Sequence, residues 1–397
     1  MFNLYKSVFT NSNRLYCITA IILFGIFITY YLTILYLRIG TDVQVHAGMA
    51  FAFFREGGNI TPNFLYYFFV GLLAAFSKHK EAYYISSVIL LSAAIAFKFL
   101  VNVYYLRKYL RLSTRLTTSF AIILLFVYCL PGVNFFEFKQ FYLGQLAPNV
   151  WHNSTVIFLA PFSIILFFET MNFLSQKANS TSQQFFIFIL VLLNAVIKPS
   201  FLFIIIPAVF VLLAYRFSTL NFKQILQLIL PYMTGLLFIA LQYFLIYKLN
   251  TAKSVISAKE NSSVILSPFE MWNHFSANMP VAFITSCLFP IVYVAYTKGA
   301  VFKNQLVSFA GINFLFAILI WILFIETGFR RYHGNFYWQV VIANYLLFFT
   351  ILIDFIQRIK NNAVSTTAKN TIFGIFILHF LWGIVYWAKI IWFHGYS

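Results

Sequence analysis

Charged residues are scarce in this sequence, and acidic residues are the scarcest. Only 9% of the 397 residues are charged, with nine Asp and Glu in all, whereas a soluble domain carries about 25% charged residues. A surface that faces water on all sides cannot be built from so few, and 62% of the residues are hydrophobic. The composition therefore excludes a soluble globular protein.

Several motifs of cofactor chemistry are also missing. The three cysteines, Cys17, Cys129 and Cys287, show no CxxC spacing, so the sequence predicts neither a disulfide framework nor a zinc site. Walker, Rossmann and GxSxG patterns are absent, which predicts no nucleotide site. We predict no resident cofactor, but a divalent metal stays open because the pairs Asp42/His46 and Glu326/His333 are of ligand type.

Apolar residues come in blocks near twenty long, such as Ile18–Leu37, the length a helix needs to cross about 30 Å of hydrocarbon. The sequence therefore predicts an all-α fold, a polytopic transmembrane bundle that forms a single integral membrane domain over residues 1–397. About eleven spans are expected: Leu15–Leu37, Tyr84–Leu106, Thr117–Leu130, Thr155–Leu174, Phe185–Val196, Phe201–Tyr215, Ile225–Tyr247, Val281–Tyr296, Leu306–Ile325, Val340–Gln357 and Ile372–Ile391.

The net charge of +18 predicts orientation and partners. The positive-inside rule puts the amino terminus in the cytoplasm and four segments outside: 38–83, 131–153, 248–280 and 326–338. In the first of these, Phe64–Phe76 is too short to cross, so we expect juxtamembrane helices there. The outer loops keep more Lys and Arg than the rule predicts, which favours membrane lipids and phosphorylated substrates as partners rather than nucleic acid.

Ionisable groups concentrate on the predicted outer side, which favours binding or chemistry at that face. The alternative is that loops simply have to be polar. The groups are six of the seven histidines and seven of the nine acids: His46, His79, His152, His274, His333, His394, Asp42, Glu56, Glu81, Glu137, Glu260, Glu270 and Glu326.

Asp42 is the strongest catalytic candidate. It directly follows the first predicted span, and His46 comes one helical turn later, so both side chains can face one site. A carboxylate there can take a proton from a hydroxyl as general base. The alternative is that Asp42 is a helix N-cap.

The loop 131–153 supplies further candidates. Glu137 lies between aromatic residues and is a candidate second carboxylate, or the partner of Lys139 or Lys198 in an ion pair. The run Trp151-His152-Asn153 combines an aromatic platform with hydrogen-bonding groups, as a sugar site needs. Trp151 is alternatively an interfacial anchor.

Basic residues predict a phosphate site. Lys198, in a Lys-Pro turn between two short spans, needs an anionic partner such as a lipid phosphate, unless it extends to the interface. The late loop carries Glu326, Arg330, Arg331 and His333 beside glycines. Paired arginines suit a phosphate or pyrophosphate, although headgroup binding is the alternative.

Together these features resemble the GT-C superfamily of membrane glycosyltransferases. Asp42 matches the acidic catalytic residue with which that family's long first outer loop begins, and Arg38–Tyr83 matches the layout of that loop. The stretch Asn63–Tyr67 is similar to the family's Pro-Pro-Leu-Tyr-Tyr region, and Lys198-Pro199 to its turn near the donor phosphate. The second outer loop has no Asp, and Glu137 is the nearest substitute.

The resemblance implies an inverting glycosyltransferase of a bacterial cytoplasmic membrane, with its active site on the extracytoplasmic side. Its donor would be a polyprenyl-phosphate sugar, and its acceptor a glycolipid or a polysaccharide. Two other functions stay open: an O-antigen or capsule polymerase or ligase, and a transporter or flippase for a lipid-linked sugar. The transporter needs polar residues deep in the spans, for which Lys98, Glu169, Asp354 and His379 are the candidates.

Overall fold

The computed structural model describes residues 13–58, 61–138, 140–142, 144–175, 180–216, 220–248 and 263–392. These residues are almost entirely helical, which confirms the predicted all-α class. In the described ranges, eight helical segments have the length and hydropathy of a membrane span, so the chain is a multi-pass membrane protein. They are α1 (Arg14–Tyr36), α4 (Lys80–Leu110), α7 (Ser154–Ser175), α9 (Leu202–Arg216, preceded by a 3-10 turn at Pro199–Phe201), α10 (Phe222–Tyr243, extended by the π-turn Phe244–Lys248), α14 (Gln305–Leu323), α15 (Trp338–Lys360) and α16 (Thr366–Trp392).

The other three predicted spans coincide with shorter or broken helices. Helices α5 (Thr114–Phe126) and α8 (Thr181–Ile197) have 13 and 17 residues. Helices α12 (Met279–Ser286) and α13 (Leu288–Tyr296) meet at a bend of 72°. Counting that bent pair as one span gives nine by length and composition, and the total of about eleven stays a prediction.

Helix α15 lies at the centre of the bundle. Its whole apolar window is buried, against 22% of that of α10 and 28% of that of α16. Helix α10 shows a stripe of exposed leucines at a spacing of four and seven residues, formed by Leu226, Leu230, Leu237 and Leu241. Such a stripe suits contact with hydrocarbon.

The segment 38–83 contains two short helices, α2 (Asp42–Arg55) and α3 (Leu65–Leu73). With 14 and nine residues, they extend about 21 and 14 Å and are too short to cross a bilayer. This agrees with the juxtamembrane helices expected there. Both contact α4, so the first segment is attached to the bundle.

Residues 144–153 are buried, although the sequence predicted an outer loop at 131–153. Only the start of that loop is helical, at α6 (Val133–Phe138). Side chains of the bundle bind its backbone: Tyr337 donates to the carbonyl of Gln145 at 2.8 Å and accepts from the amide of Ala147 at 3.1 Å. Non-helical backbone is tolerated inside a membrane protein only when such partners exist.

Two later loops are joined by a short antiparallel sheet that the sequence did not predict. Strand β1 (Val264–Leu266) pairs with β2 (Phe324–Glu326), with Val264 opposite Glu326. A helix of six residues, α11 (Glu270–Phe275), follows β1. The sheet fixes the late loop 326–338 beside the segment 263–280.

Gly383 of α16 provides a test of the packing. A Cβ atom at this position would collide with the carbonyl group of Phe126 at the end of α5. We expect Gly383→Ala to destabilise the protein by about 1–3 kcal/mol through overpacking, measured as a lower Tm in detergent. Gly374→Ala on the same helix has no atom within 4 Å of the new methyl group and is the matched control. Equal Tm values for the two variants would contradict the packing described here.

Candidate functional site

A cavity of about 820 Å³ lies where the first, second and late loops meet. Six parts of the chain line it: the start of α2, residues 142, 144, 152 and 153 of the second loop, the turn at Lys198, helix α11, Trp321 of α14, and the region from Tyr332 to Trp338. Of the predicted site residues, six line the cavity: Asp42, His46, His152, Asn153, Lys198 and His333.

Thr41, not Asp42, is the N-cap of α2. The Thr41 side chain accepts a hydrogen bond from the amide of Val43 at 3.3 Å, and Gln44 completes a capping box by accepting from the Thr41 amide. The N-cap interpretation of Asp42 is therefore wrong, because the neighbouring residue already satisfies the helix end. The Asp42 carboxylate is left for the cavity.

Asn153 holds the Asp42 carboxylate from the opposite wall. Its Nδ2 donates to Oδ2 of Asp42 at 2.6 Å. Its Oδ1 accepts from the amide of Val156 and from the Thr155 hydroxyl, both at 3.1 Å, and so caps α7. Because the helix cap requires the oxygen of the side-chain amide, the nitrogen has to face Asp42.

Lys198 is connected to the same group of residues. Its Nζ donates to the Thr155 hydroxyl at 3.1 Å and lies 5.0 Å from the ring centroid of Trp338. A chain of hydrogen bonds therefore runs from Lys198 through Thr155 and Asn153 to Asp42. Within the described ranges, no carboxylate oxygen lies within 4.0 Å of Nζ of Lys198, so Lys198 forms no salt bridge there.

Burial changes the acid–base behaviour of this pair. It raises the pKa of Asp42, an effect that the hydrogen bond from Asn153 and the charge of Lys198 partly oppose. It lowers the pKa of Lys198 to about 8, although the charges of Asp42 and Glu326 act in the other direction. Asp42 is consequently a stronger base than an exposed carboxylate.

Two histidines face the cavity in their neutral form. His46 lies one turn after Asp42, and its Nδ1 is 2.8 Å from the hydroxyl of Tyr67 on α3. Burial, and then the charge of Lys198, lowers the pKa of His46 to about 3. Burial alone lowers the pKa of His152 to about 3.

The two late-loop arginines are paired with carboxylates and do not line the cavity. Nε of Arg331 lies 2.6 Å from Oε1 of Glu270, and Nη1 of Arg330 lies 3.6 Å from Oε1 of Glu326. Glu326 in turn accepts from the Tyr247 hydroxyl at 2.5 Å and from Asn335. Each arginine thus has a carboxylate partner, whereas Lys198 forms no salt bridge within the described residues, which makes Lys198 the better phosphate ligand.

Two other predicted residues point elsewhere. Glu137 is exposed at the end of α6 and is not among the residues that line the cavity. Trp151 is buried against Phe126 and Tyr128, on the other side of the loop from His152. The structure therefore brings neither to Asp42.

Sequence reasoning missed Thr155 and Trp338. Both contact Lys198, but each lies at the start of an apolar span, where a Thr or Trp carries no distinctive signal. The motif Asn153-Ser154-Thr155 is typical of a helix start, and this signal could have indicated that Thr155 lies beside Asn153 at the site.

The described residues contain no recognisable set of metal ligands. In the parts of the chain that the structure describes, no three His, Cys, Asp or Glu side chains come together as metal ligands. Asp42 is bound instead by an amide, and His46 by a phenol.

The fold and the cavity define a multi-pass helical membrane protein with a polar site beside the first and second long loops. Comparison of the chain with protein-family models, with curated proteins and with solved structures found no match.

The neutral state of His46 predicts how stability depends on pH. An unfolded histidine binds a proton below about pH 6.5, whereas folded His46 does so only near pH 3. The unfolded chain thus binds more protons in this window, and stability falls as the pH is lowered from about 6.5 towards 3. In the variant His46→Gln we expect stability to decrease less over this pH range, measured as Tm at a series of pH values.

His79→Gln is the control for that experiment, because His79 is exposed and does not line the cavity. His152 keeps part of the pH dependence in both variants. Identical pH profiles for the wild-type protein and His46→Gln would contradict the lowered pKa of His46.

Proposed function

We propose that the protein is a GT-C-type glycosyltransferase. It would move a sugar from a polyprenyl-phosphate donor to a hydroxyl group of a glycolipid or polysaccharide, on the extracytoplasmic face of a bacterial cytoplasmic membrane. One observation carries the proposal: the carboxylate of Asp42 faces a large cavity that is also lined by Lys198, a cation that forms no salt bridge within the described residues. The site would lie in a bundle of about eleven spans.

Asp42 would act as the general base. Its Oδ2 is held by Asn153, and within the described residues Oδ1 accepts no hydrogen bond, so it is available to a substrate. The carboxylate takes the proton of the acceptor hydroxyl as that oxygen attacks the anomeric carbon from the face opposite the phosphate. The bond between the anomeric carbon and the phosphate oxygen breaks, the electron pair leaves with polyprenyl phosphate, and the configuration inverts.

Lys198 would hold the donor phosphate. An ammonium group offers three donors, and one of them already binds Thr155. Lys198 is partly buried beside the Trp338 ring, and its positive charge would strengthen its hydrogen bonds to the phosphate. Arg330 and Arg331 are paired with Glu326 and Glu270 and would not bind the phosphate directly.

The cavity also suits a sugar in size and lining. Its volume of about 820 Å³ falls in the range of roughly 300–1,000 Å³ typical of ligand pockets. Aromatic side chains line several sides, among them Tyr142, Tyr332 and Trp338. Neutral His46 and His152 add groups that hydrogen-bond to hydroxyls without adding charge.

The transporter hypothesis has less support. Of the deep polar residues, Asp354 is bound by Tyr293, Asn304 and Arg358. His379 is bound to the carbonyl of Tyr128. These groups serve local packing and do not line the cavity of Asp42.

Asp42→Asn tests the base. The amide keeps the shape of the side chain but cannot take a proton, so we expect the turnover rate to fall about 10²–10⁴-fold while binding of polyprenyl phosphate is retained. The measurement is transfer of labelled sugar from a panel of polyprenyl-phosphate sugars to cell-envelope glycolipids, in proteoliposomes. Glu56→Gln, at the exposed end of the same helix, is the matched control. An Asp42→Asn protein with full activity would contradict the mechanism.

Lys198→Met tests the phosphate site without knowledge of the sugar, because every such donor leaves the same lipid phosphate. We expect the affinity for polyprenyl phosphate in nanodiscs to fall about ten- to a hundredfold, since a charge-assisted hydrogen bond contributes about 1.5–3 kcal/mol. Lys80→Met removes an exposed lysine and should leave the affinity unchanged. An equal loss in both variants would indicate general attraction to the lipid, and no loss in either would remove Lys198 from the site.

A further inference from the structure

A second cationic site lies deeper in the bundle, apart from the proposed active site. Lys98 is an interior residue of the span α4, about 27 Å along the helix from Lys80, and its side chain is only 9% exposed. Within the described residues it forms no salt bridge. A buried ammonium group without a counter-ion is costly, so its surroundings are expected to supply compensation.

The protein supplies two contacts to this ammonium. Nζ donates to Oδ1 of Asn149 at 2.6 Å and lies 3.7 Å from the ring centroid of Tyr345. The Asn149 amide is fixed, because its Nδ2 donates to the carbonyls of Leu124 and Val127 at 3.1 and 2.8 Å. Both contacts are to uncharged groups, so the charge of Lys98 is solvated but not neutralised.

Beside Lys98 is a small cavity of about 30 Å³. Its lining includes the consecutive residues Asn149, Val150 and Trp151 of the buried loop. In the part of the chain that the structure describes, the backbone amides of these three residues form no hydrogen bond. Buried amides are rarely left without a partner, and successive amides in a loop are a common anion-binding arrangement.

We propose that this cavity binds a small inorganic anion of the chloride class, held by Lys98 and the amides of the loop 149–151. The volume leaves room for about one or two water-sized particles, which excludes a carboxylate or phosphate ester. A halide neutralises the ammonium of Lys98 and accepts hydrogen bonds from the amides. Water also accepts hydrogen bonds from the amides, but it does not neutralise the charge of Lys98. The anion would hold in place the loop that carries Asn153. This role does not depend on whether the protein is a transferase.

Thermal unfolding of the purified full-length protein tests the proposal. In detergent at constant ionic strength, replacing sodium gluconate with sodium chloride should raise Tm with a saturable dependence on chloride. Lys98→Met should abolish this shift, because methionine fills the same space without charge. Lys389→Met is the matched control, since Lys389 is also a buried span lysine near an aromatic ring but does not line the cavity. It should keep the chloride response.

A wild-type Tm that does not respond to chloride, or the same response in Lys98→Met, would overturn the proposal. Should Lys98→Met fail to fold, the wild-type protein crystallised in sodium bromide decides the question. An anomalous peak between Lys98 Nζ and the 149–151 backbone is expected. Its absence would mean that the cavity holds water only.

Discussion

The side-chain amide of Asn153 is the contact on which the proposed site depends. One end of the amide caps α7, a helix buried along most of its length, and the other end binds Asp42 at the start of α2. A single side chain thus joins the first long loop to the core of the bundle. Because the cap fixes which atom of the amide faces the cavity, the position of the Asp42 carboxylate follows from the folding of α7.

The loop before Asn153 makes this arrangement possible. Residues 144–153 lack regular structure and are buried, so their backbone groups need partners inside the bundle. Tyr337 and Asn344 provide two of them from the central region around α15: Tyr337 binds Gln145 and Ala147, and Asn344 donates to the carbonyl of Leu146 at 2.6 Å. The central helix therefore supports the wall of the cavity as well as the bundle. The same loop places His152 in the cavity lining, whereas Trp151 packs against Phe126 and Tyr128.

The sequence contained much of the site but not its pairings. Asp42, Asn153 and Lys198 were predicted because each lies near the end of an apolar span, and hydropathy locates such boundaries well. His46 was predicted because it follows Asp42 by one helical turn. The N-cap interpretation of Asp42 failed because Thr41 was available one residue earlier. The arginines were overvalued, since Glu270 is far from Arg331 along the chain and the sequence did not predict the β1–β2 sheet that holds their two segments side by side. Hydropathy predicted the helical class correctly, whereas eight or nine segments in the described ranges have the length of a span, because α5 and α8 are short and the pair α12–α13 is bent.

The central claim is that the cavity between Asp42 and Lys198 is the site for a lipid-linked phosphate. A cryo-EM structure of the protein in nanodiscs with polyprenyl phosphate tests it most directly. The account predicts density for a phosphate group within hydrogen-bonding distance of Nζ of Lys198, with the Asp42 carboxylate facing the space next to it. Phosphate density elsewhere on the protein, with this cavity left without lipid, would contradict the claim.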